Sequence, residues 1–418
     1  MPENFSISVP GNLGNNAGPA SDGVLYGQLT PTNPSKVLLK SLATAGLAYT
    51  DDGGVYVNET TPFGEATADD VEVLPATPAA DDAFYVGHGT EQFARIDLNT
   101  TTQGDGVWTI TWEYWDGDAW VALAGVTDGT TGFTSATGWA SVTYTLPTDW
   151  SQCTIDGVLG YWIRARVSAY TSVTTAPQVG QGWVITCDAT WVDDTTDFTD
   201  AGAGDVALLP SYPVVGDGLY VGYTEKFCKM KVTTSQARTG TATLGLKYWN
   251  GSAWTALTTL ADDSVGWSAT AGTHLIHFTP PSDWVANTAA NGPNGQTGFF
   301  VVMELTALTS VTQAPLATQG WVYPLKTGAS GTRVPVPCTS FEVSYQAQTA
   351  SGTTADSKFL IINATQGTCV ESTWTKADTH DSEVLSLTFA KNDAFVLAQI
   401  IEDGTTEFAD ASIDVRLY

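Results

Sequence analysis

The sequence predicts an all-β protein: two homologous antiparallel β-sandwiches of jelly-roll-like character in tandem, a small C-terminal β-sandwich, and an extended N-terminal arm. Three observations point there. A long stretch of the chain returns once, apolar and polar residues alternate with a period of two, and turn-forming pairs break the alternation at intervals. Tyr114-Trp115-Asp116-Gly117-Asp118-Ala119-Trp120 returns as Tyr248-Trp249-Asn250-Gly251-Ser252-Ala253-Trp254. The flanks return with it: Phe84-Tyr85-Val86-Gly87 as Leu219-Tyr220-Val221-Gly222, Asp149-Trp150 as Asp283-Trp284, and Gln181-Gly182-Trp183 as Gln319-Gly320-Trp321. A period of roughly 135 residues is that of a whole domain, well above the roughly 20 to 50 of solenoids and propellers.

In chain order, residues 1–46 lie outside the repeat and open with the Gly-, Asn- and Pro-rich run Pro10 to Pro19. Such a composition cannot build a core by itself and reads as an arm that orders on a partner. Lys36 to Ala48 is the one candidate helix, although Val37-Leu38-Leu39 reads equally well as strand. The first repeat spans 47–187. Within it Trp108, Ile110, Trp112 and Tyr114 alternate with Thr109, Thr111 and Glu113, as a half-buried strand requires. Asp116-Gly117, and Asn250-Gly251 in the copy, are expected to supply the positive dihedrals of a tight hairpin turn, with new strands opening at Trp120 and Trp254. The second repeat spans 188–326. After the Gly/Ser/Thr stretch that follows, residues 327–418 carry short strand patterns such as Phe341-Glu342-Val343-Ser344-Tyr345 and Phe359-Leu360-Ile361-Ile362, enough for a small sandwich.

Charge narrows the partners. Lys plus Arg is 16 against 44 for Asp plus Glu, a formal net charge of −28. Nucleic acid and anionic membrane surfaces both need basic patches, so neither is expected as a partner. No apolar run is long enough to span a membrane, and the N-terminus lacks the features of a signal peptide, so synthesis in a cytoplasm without export is expected. The five cysteines are scattered without a C-x-x-C pair, which gives neither a zinc site nor a disulfide framework.

Known catalytic motifs are absent from the sequence, and no enzyme is expected. His274 and His277 stand an odd number apart, so a strand would point them to opposite faces and deny them a shared metal. Arg164 and Arg166 share a face and suggest a local salt bridge. A glycosidase pair at Glu113 and Asp116 is disfavoured, because the copy has Lys247 and Asn250 there. Asp51-Asp52 is matched with Asp193-Asp194, and these acids, with Asp197, Asp200 and Asp205, raise calcium or another cation as a ligand. They lack the loop register of a calcium motif, so no cofactor is expected.

Most of the fifteen tryptophans recur at matched strand positions and are expected in cores. The unmatched Trp139, Trp191 and Trp374 are the candidates for a surface that contacts glycan or protein.

The series Tyr-Trp-[Asp/Asn]-Gly-x-Ala-Trp, then Pro-x-Asp-Trp, then Ala-Pro and Gln-Gly-Trp resembles modules of structural proteins in tailed viruses of bacteria and archaea. The resemblance covers both repeats. It implies a virion component: a capsid-surface decoration or turret whose N-terminal arm docks on major capsid or tail proteins, in a homo-oligomer. Deleting residues 1–46 would then leave folded sandwiches that no longer attach. The alternative it implies is a tail fibre or baseplate adhesin for host-surface glycans.

Overall fold

In the computed structural model, which describes residues 6–10, 31–66, 70–202, 204–325, 332–333, 337–346, 357–374, 380–401 and 412–417, nearly all regular structure is antiparallel strand. Short helices at Thr60–Gly64 and Thr195–Thr199 and a 3-10 turn at Pro293–Gly295 are the exceptions among the described residues. The chain forms two units. One is Ser41–Thr190 with Tyr212–Val214; the other is Met1–Lys40, Trp191–Ser211 and Val215–Tyr418, and therefore flanks the first in sequence.

The inserted unit has two sheets. One runs Val55–Asn58, Leu47–Asp52, Ala83–His88, Val158–Thr175, Asp105–Trp115, Trp120–Ala122; the other sets Thr127–Asp128, Gly138–Thr143, Phe93–Thr102 and Gln178 onward side by side. Alternation sends Ala48, Phe84, Ile163 and Ala165 from the first sheet and Phe93, Ile96, Leu98 and Val184 from the second into one dry core. Trp150 sits in it, edge-to-face with Phe93 (4.9 Å), Tyr161 (5.8 Å), Tyr144 (6.4 Å) and Tyr114 (6.5 Å). The Tyr114 hydroxyl donates to Asp149 over 2.9 Å. One motif thus delivers a tryptophan to the core and a carboxylate to anchor the tyrosine beside it.

The flanking unit repeats this plan. Trp284 is edge-to-face with Phe227 (5.2 Å), Phe299 (5.7 Å) and Phe278 (6.2 Å), and Tyr248 donates to Asp283 over 2.9 Å. Its first strand comes from an unexpected place. Lys36–Ala45 pairs with Gly218–Tyr223 in the register Lys40 to Gly218 through Lys36 to Gly222, the place that Leu47–Asp52 takes beside Ala83–His88 in the inserted unit. Side-chain bonds confirm the equivalence: Val37 N–H donates to Thr195 Oγ1 (2.9 Å) as Ala48 N–H donates to Thr60 Oγ1 (3.1 Å). The two repeats are therefore nested along the chain, one placed in the hairpin of the other, and not simply in tandem.

The expected arm at 1–46 needs correction on the same ground. Val37 and Leu38 are fully buried, and Ser6–Pro10 pairs with Ser412–Leu417 as an edge strand of the chain's own C-terminal sheet. Both segments are therefore strands of the chain's own sheets and not an extended arm, while the remainder of the expected Gly-, Asn- and Pro-rich run, residues 11–19, lies outside the described residues. Lys36 to Ala45 is strand, which settles the helix-or-strand ambiguity in favour of the β-branched and leucine-rich reading. The C-terminal strands form two further sheets, Ser6–Pro10, Ser412–Leu417, Phe341–Gln346, His380–Leu385 and Thr332–Arg333, Ala394–Ile401, Ser357–Asn363, Thr368–Trp374. Leu360 and Ile362 from these share a cluster with Cys228 and Leu325 of the second repeat.

The recurring glycines mark close approaches. A Cβ on Gly182 would run into the Phe63 ring and one on Gly320 into the Phe198 ring, so each Gln-Gly-Trp motif exists to seat the phenylalanine of its short helix. The Asp116 and Asn250 turns differ from expectation in one respect. Gly117 (φ 109°) and Gly251 (φ 97°) carry the positive dihedral without their neighbours, and Asp116 and Asn250 act through their side chains. Asp116 Oδ1 accepts from the amides of Asp118 (2.8 Å) and Ala119 (2.7 Å), and Asn250 Oδ1 from those of Ser252 (2.9 Å) and Ala253 (2.8 Å). These are Asx turns closing four-residue loops.

Candidate functional site

The outward face of the first sheet of the inserted unit carries the candidate site. Alternation that buries Phe84 and Val86 turns Tyr85 outward, and likewise Arg164 and Arg166 on the neighbouring strand and Glu113 on the next. Glu113, buried at 6% exposure, accepts from Arg164 Nε (2.8 Å) at one oxygen and from Arg166 Nε (3.0 Å) and Nη2 (2.8 Å) at the other. The expected local salt bridge of the arginine pair is therefore present, and Glu113 is its shared partner. Arg164 also lies over the Trp120 ring at 4.5 Å and donates to the Tyr85 hydroxyl (3.4 Å).

Around this ion pair runs an aromatic ladder: Tyr56 against Tyr85 (5.9 Å), Tyr85 against Trp120 (5.5 Å), Trp120 against Trp115 (5.7 Å). Beside the ladder a cavity of about 570 Å³ opens, walled by Tyr56, Trp115 and Trp120 on the aromatic side and by Asp51, Asp81 and Asp82 on the acidic side, with Arg164 and Cys153 also facing it. That volume lies in the range of roughly 300–1,000 Å³ typical of small-molecule sites. The acidic wall is held by backbone. Asp82, 2% exposed, accepts from Gly53 N–H (2.9 Å) and Ala79 N–H (2.7 Å), and Asp51 accepts from Gly54 N–H (2.7 Å). Gly53 (φ 61°) and Gly54 (φ 89°) give the hairpin its tight end. Burial pushes the Asp51 carboxyl above its ordinary value, and the neighbouring Asp82 charge adds to the shift against the pull of the Gly54 amide. Burial also pushes the Cys153 thiol up to about 11, which leaves it protonated and unreactive at neutral pH.

The unmatched tryptophans stand elsewhere. Trp139, 47% exposed, lies beside Tyr212 at 4.8 Å, and Tyr212 stacks on Trp183 at 5.0 Å. Trp191 is half-buried and edge-to-face on Tyr220 (5.1 Å), which meets Trp254 (5.2 Å). It is the counterpart of Tyr56, so its lack of a match came from the shifted strand order. The Trp374 side chain lies outside the described residues. Sequence reasoning missed Tyr56 and Asp82 as site residues; the Gly53-Gly54 pair after Asp51-Asp52 was the available signal of a hairpin end there.

Asp193, matched in sequence with Asp51, is instead the counterpart of Asn58, and it accepts from Lys36 Nζ (2.6 Å) and Thr195 Oγ1 (2.5 Å). Among the described residues no three His, Cys, Asp or Glu side chains converge to hold a metal ion. His274 reaches the Thr234 hydroxyl (3.1 Å) while His277 packs by Lys229, which places the rings on opposite faces. Glu113 and Asp116 are committed to the arginines and the turn. No helix among the described residues is long and apolar enough to cross a membrane. Compared with known proteins, the chain matches no family model and no curated sequence.

Proposed function

We propose that the protein is a non-enzymatic structural component of a virus particle, a capsid-surface decoration or turret protein that presents duplicated β-sandwiches. The supporting observation is where the residues of the virion-like motif go. In both copies Tyr114 or Tyr248, Asp149 or Asp283, and Trp150 or Trp284 are spent on the core and its anchor, and Asp116-Gly117 or Asn250-Gly251 on the turn. A module whose signature is devoted to folding is suited to presenting surface, and a repeated shell offers symmetric sites for a homo-oligomer of it. Its partners in this reading are the major capsid or tail proteins of the same virion. Cryo-electron microscopy of the particle tests the reading: density on the capsid lattice supports it, and absence of the chain from purified particles overturns it. The cavity in the inserted unit favours a second reading, a tail fibre or baseplate adhesin that grips host-surface glycan, for which density at the tail tip is the expected result.

A further inference from the structure

We propose that the cavity of the inserted unit is a binding site for an uncharged saccharide, with Tyr56 and Trp115 as stacking surfaces and Asp51 and Arg164 as the hydroxyl-binding pair. The inference deepens the adhesin reading by naming site and ligand class, yet it does not require that reading, since it concerns the purified chain and not its place on a particle.

Ligand class follows from the charges. The cavity holds both signs, but Arg164 is already paired with Glu113 and Asp81 with Arg166, so the carboxylates in its wall without an ion-pair partner are Asp51 and Asp82. A carboxylate or phosphate ligand would meet uncompensated acid, in a chain whose net charge is −28. A cationic ligand would meet the guanidinium that already covers the face of Trp120. What suits such a wall is a neutral molecule with many hydroxyls, able to donate to a carboxylate and accept from a guanidinium, and with a flat apolar face for an aromatic ring. A pyranose has all three properties.

The groups are also preorganised, as a site requires. Asp51 is fixed at one oxygen by Gly54 N–H, Arg164 by Glu113, and the hairpin end by Asp82. Asp81, a non-glycine residue, sits at φ 79°, held by its N–H to Val167 O (3.0 Å) and by Arg166 Nη1 on its carboxylate (3.2 Å). Backbone held in this costly region clusters at ligand sites.

The second repeat supplies an internal control. It keeps the ladder, as Trp191, Tyr220, Trp254 and Trp249, but register places Lys40 where Asp51 stands, Val302 for Arg164 and Lys247 for Glu113. Stacking that belongs to the fold thus recurs, while the polar wall belongs to one copy. The hairpin end that closes that wall, Gly53-Gly54, is also peculiar to the inserted unit, because in the flanking unit the chain departs at the corresponding point.

The test is a glycan array probed with the full-length protein, followed by titration calorimetry with a neutral oligosaccharide that binds, with sialyllactose, and with choline. Neutral glycans are expected to bind while sialyllactose and choline do not. Tyr56→Ala and Asp51→Asn, both at the cavity wall, should each weaken the neutral ligand about tenfold, the loss of one stacking surface or charged hydrogen bond. Trp139→Ala should leave affinity unchanged, and thermal melting of every variant establishes that it is folded. Binding of no neutral glycan at millimolar concentration overturns the proposal. So does binding restricted to sialyllactose or choline, or neutral binding that folded Tyr56→Ala and Asp51→Asn proteins retain in full. Loss of the adhesin reading would show differently, as a sugar-binding chain located away from the tail tip.

Discussion

Val37 donates its amide to the Thr195 hydroxyl oxygen over 2.9 Å, although 158 positions separate the two residues. The bond ties the first strand of the flanking unit to its short helix, and everything from Ser41 to Thr190 lies between them in sequence.

Truncation should therefore unfold the flanking unit. Val37 and Leu38 are fully buried, and losing both withdraws about 1.5–3 kcal/mol of burial apiece, besides a row of ladder hydrogen bonds. A chain beginning at residue 41 should show a single melting transition, from the inserted unit, where the full chain shows more. Conversely, excising 41–190 and joining Lys40 to Trp191 through Gly-Gly, the turn the inserted unit uses at Gly53-Gly54, should leave a folded flanking unit by circular dichroism.

Gly182→Ala and Gly320→Ala should each destabilise by about 1–3 kcal/mol, the typical cost of overpacking, because the new methyl meets Phe63 or Phe198. Urea denaturation measures this. Pairing Gly182→Ala with Phe63→Leu should recover part of the loss, and strict additivity would show that the ring is not the obstacle.

Glu113→Gln should cost about 3 kcal/mol, since it leaves Arg164 and Arg166 without their shared carboxylate in a largely buried place. The second repeat has a single pair there, Lys247 with Glu304, more exposed and with the signs exchanged between strands. Glu304→Gln should accordingly cost less, and equal losses in chemical denaturation would contradict the account.

Acid should loosen the first turn and spare the second. The amides of Ala119 and Asp118 hold the Asp116 carboxyl below its ordinary range. A depressed folded pKa gives stability that is present above the unfolded value and is lost as pH falls through the folded one. Asn250 makes the same bonds without titrating. Melting followed against pH should lose part of its acid-side slope in Asp116→Asn, with the turn otherwise intact.

His277 titrates in a second window. Burial, aided by Lys229, lowers it from 6.5 to about 4, so the folded state holds it neutral. Between those values the unfolded chain binds the extra proton, and stability should fall as pH drops from 6.5 towards 4 and level off below. His277→Leu should flatten that interval in pH-dependent melting.

How far the sequence foretold this is clearest at particular residues. Trp108 to Tyr114 alternate legibly because a half-buried strand must alternate, and the Asp-Gly and Asn-Gly pairs mark their turns whatever the tertiary context. Lys36 to Lys40 could not be read the same way. Periodicity reports that a residue is buried and not against which strand, and Lys-Val-Leu-Leu-Lys shares no motif with its structural counterpart Leu-Ala-Tyr-Thr-Asp. The displaced strand then hid the kinship of Tyr56 with Trp191. At the site, Arg164 and Arg166 were visible as a same-face pair, whereas Asp82 gains its place only through the amides of Gly53 and Ala79.

Nesting also sets a timetable for synthesis. Lys36 to Lys40 leave the ribosome before the inserted unit, yet the strand they pair with, Gly218–Tyr223, is made only after the 150 residues of Ser41–Thr190 have been translated. At about 5–20 residues per second that interval is on the order of 10–30 s. Throughout it the run Val37-Leu38-Leu39 emerges without its sheet, while the inserted unit already has every strand it needs. The earliest apolar strand of the two repeats is thus among the last to be used, and the cell that makes the chain must keep it from other nascent chains until its partner arrives.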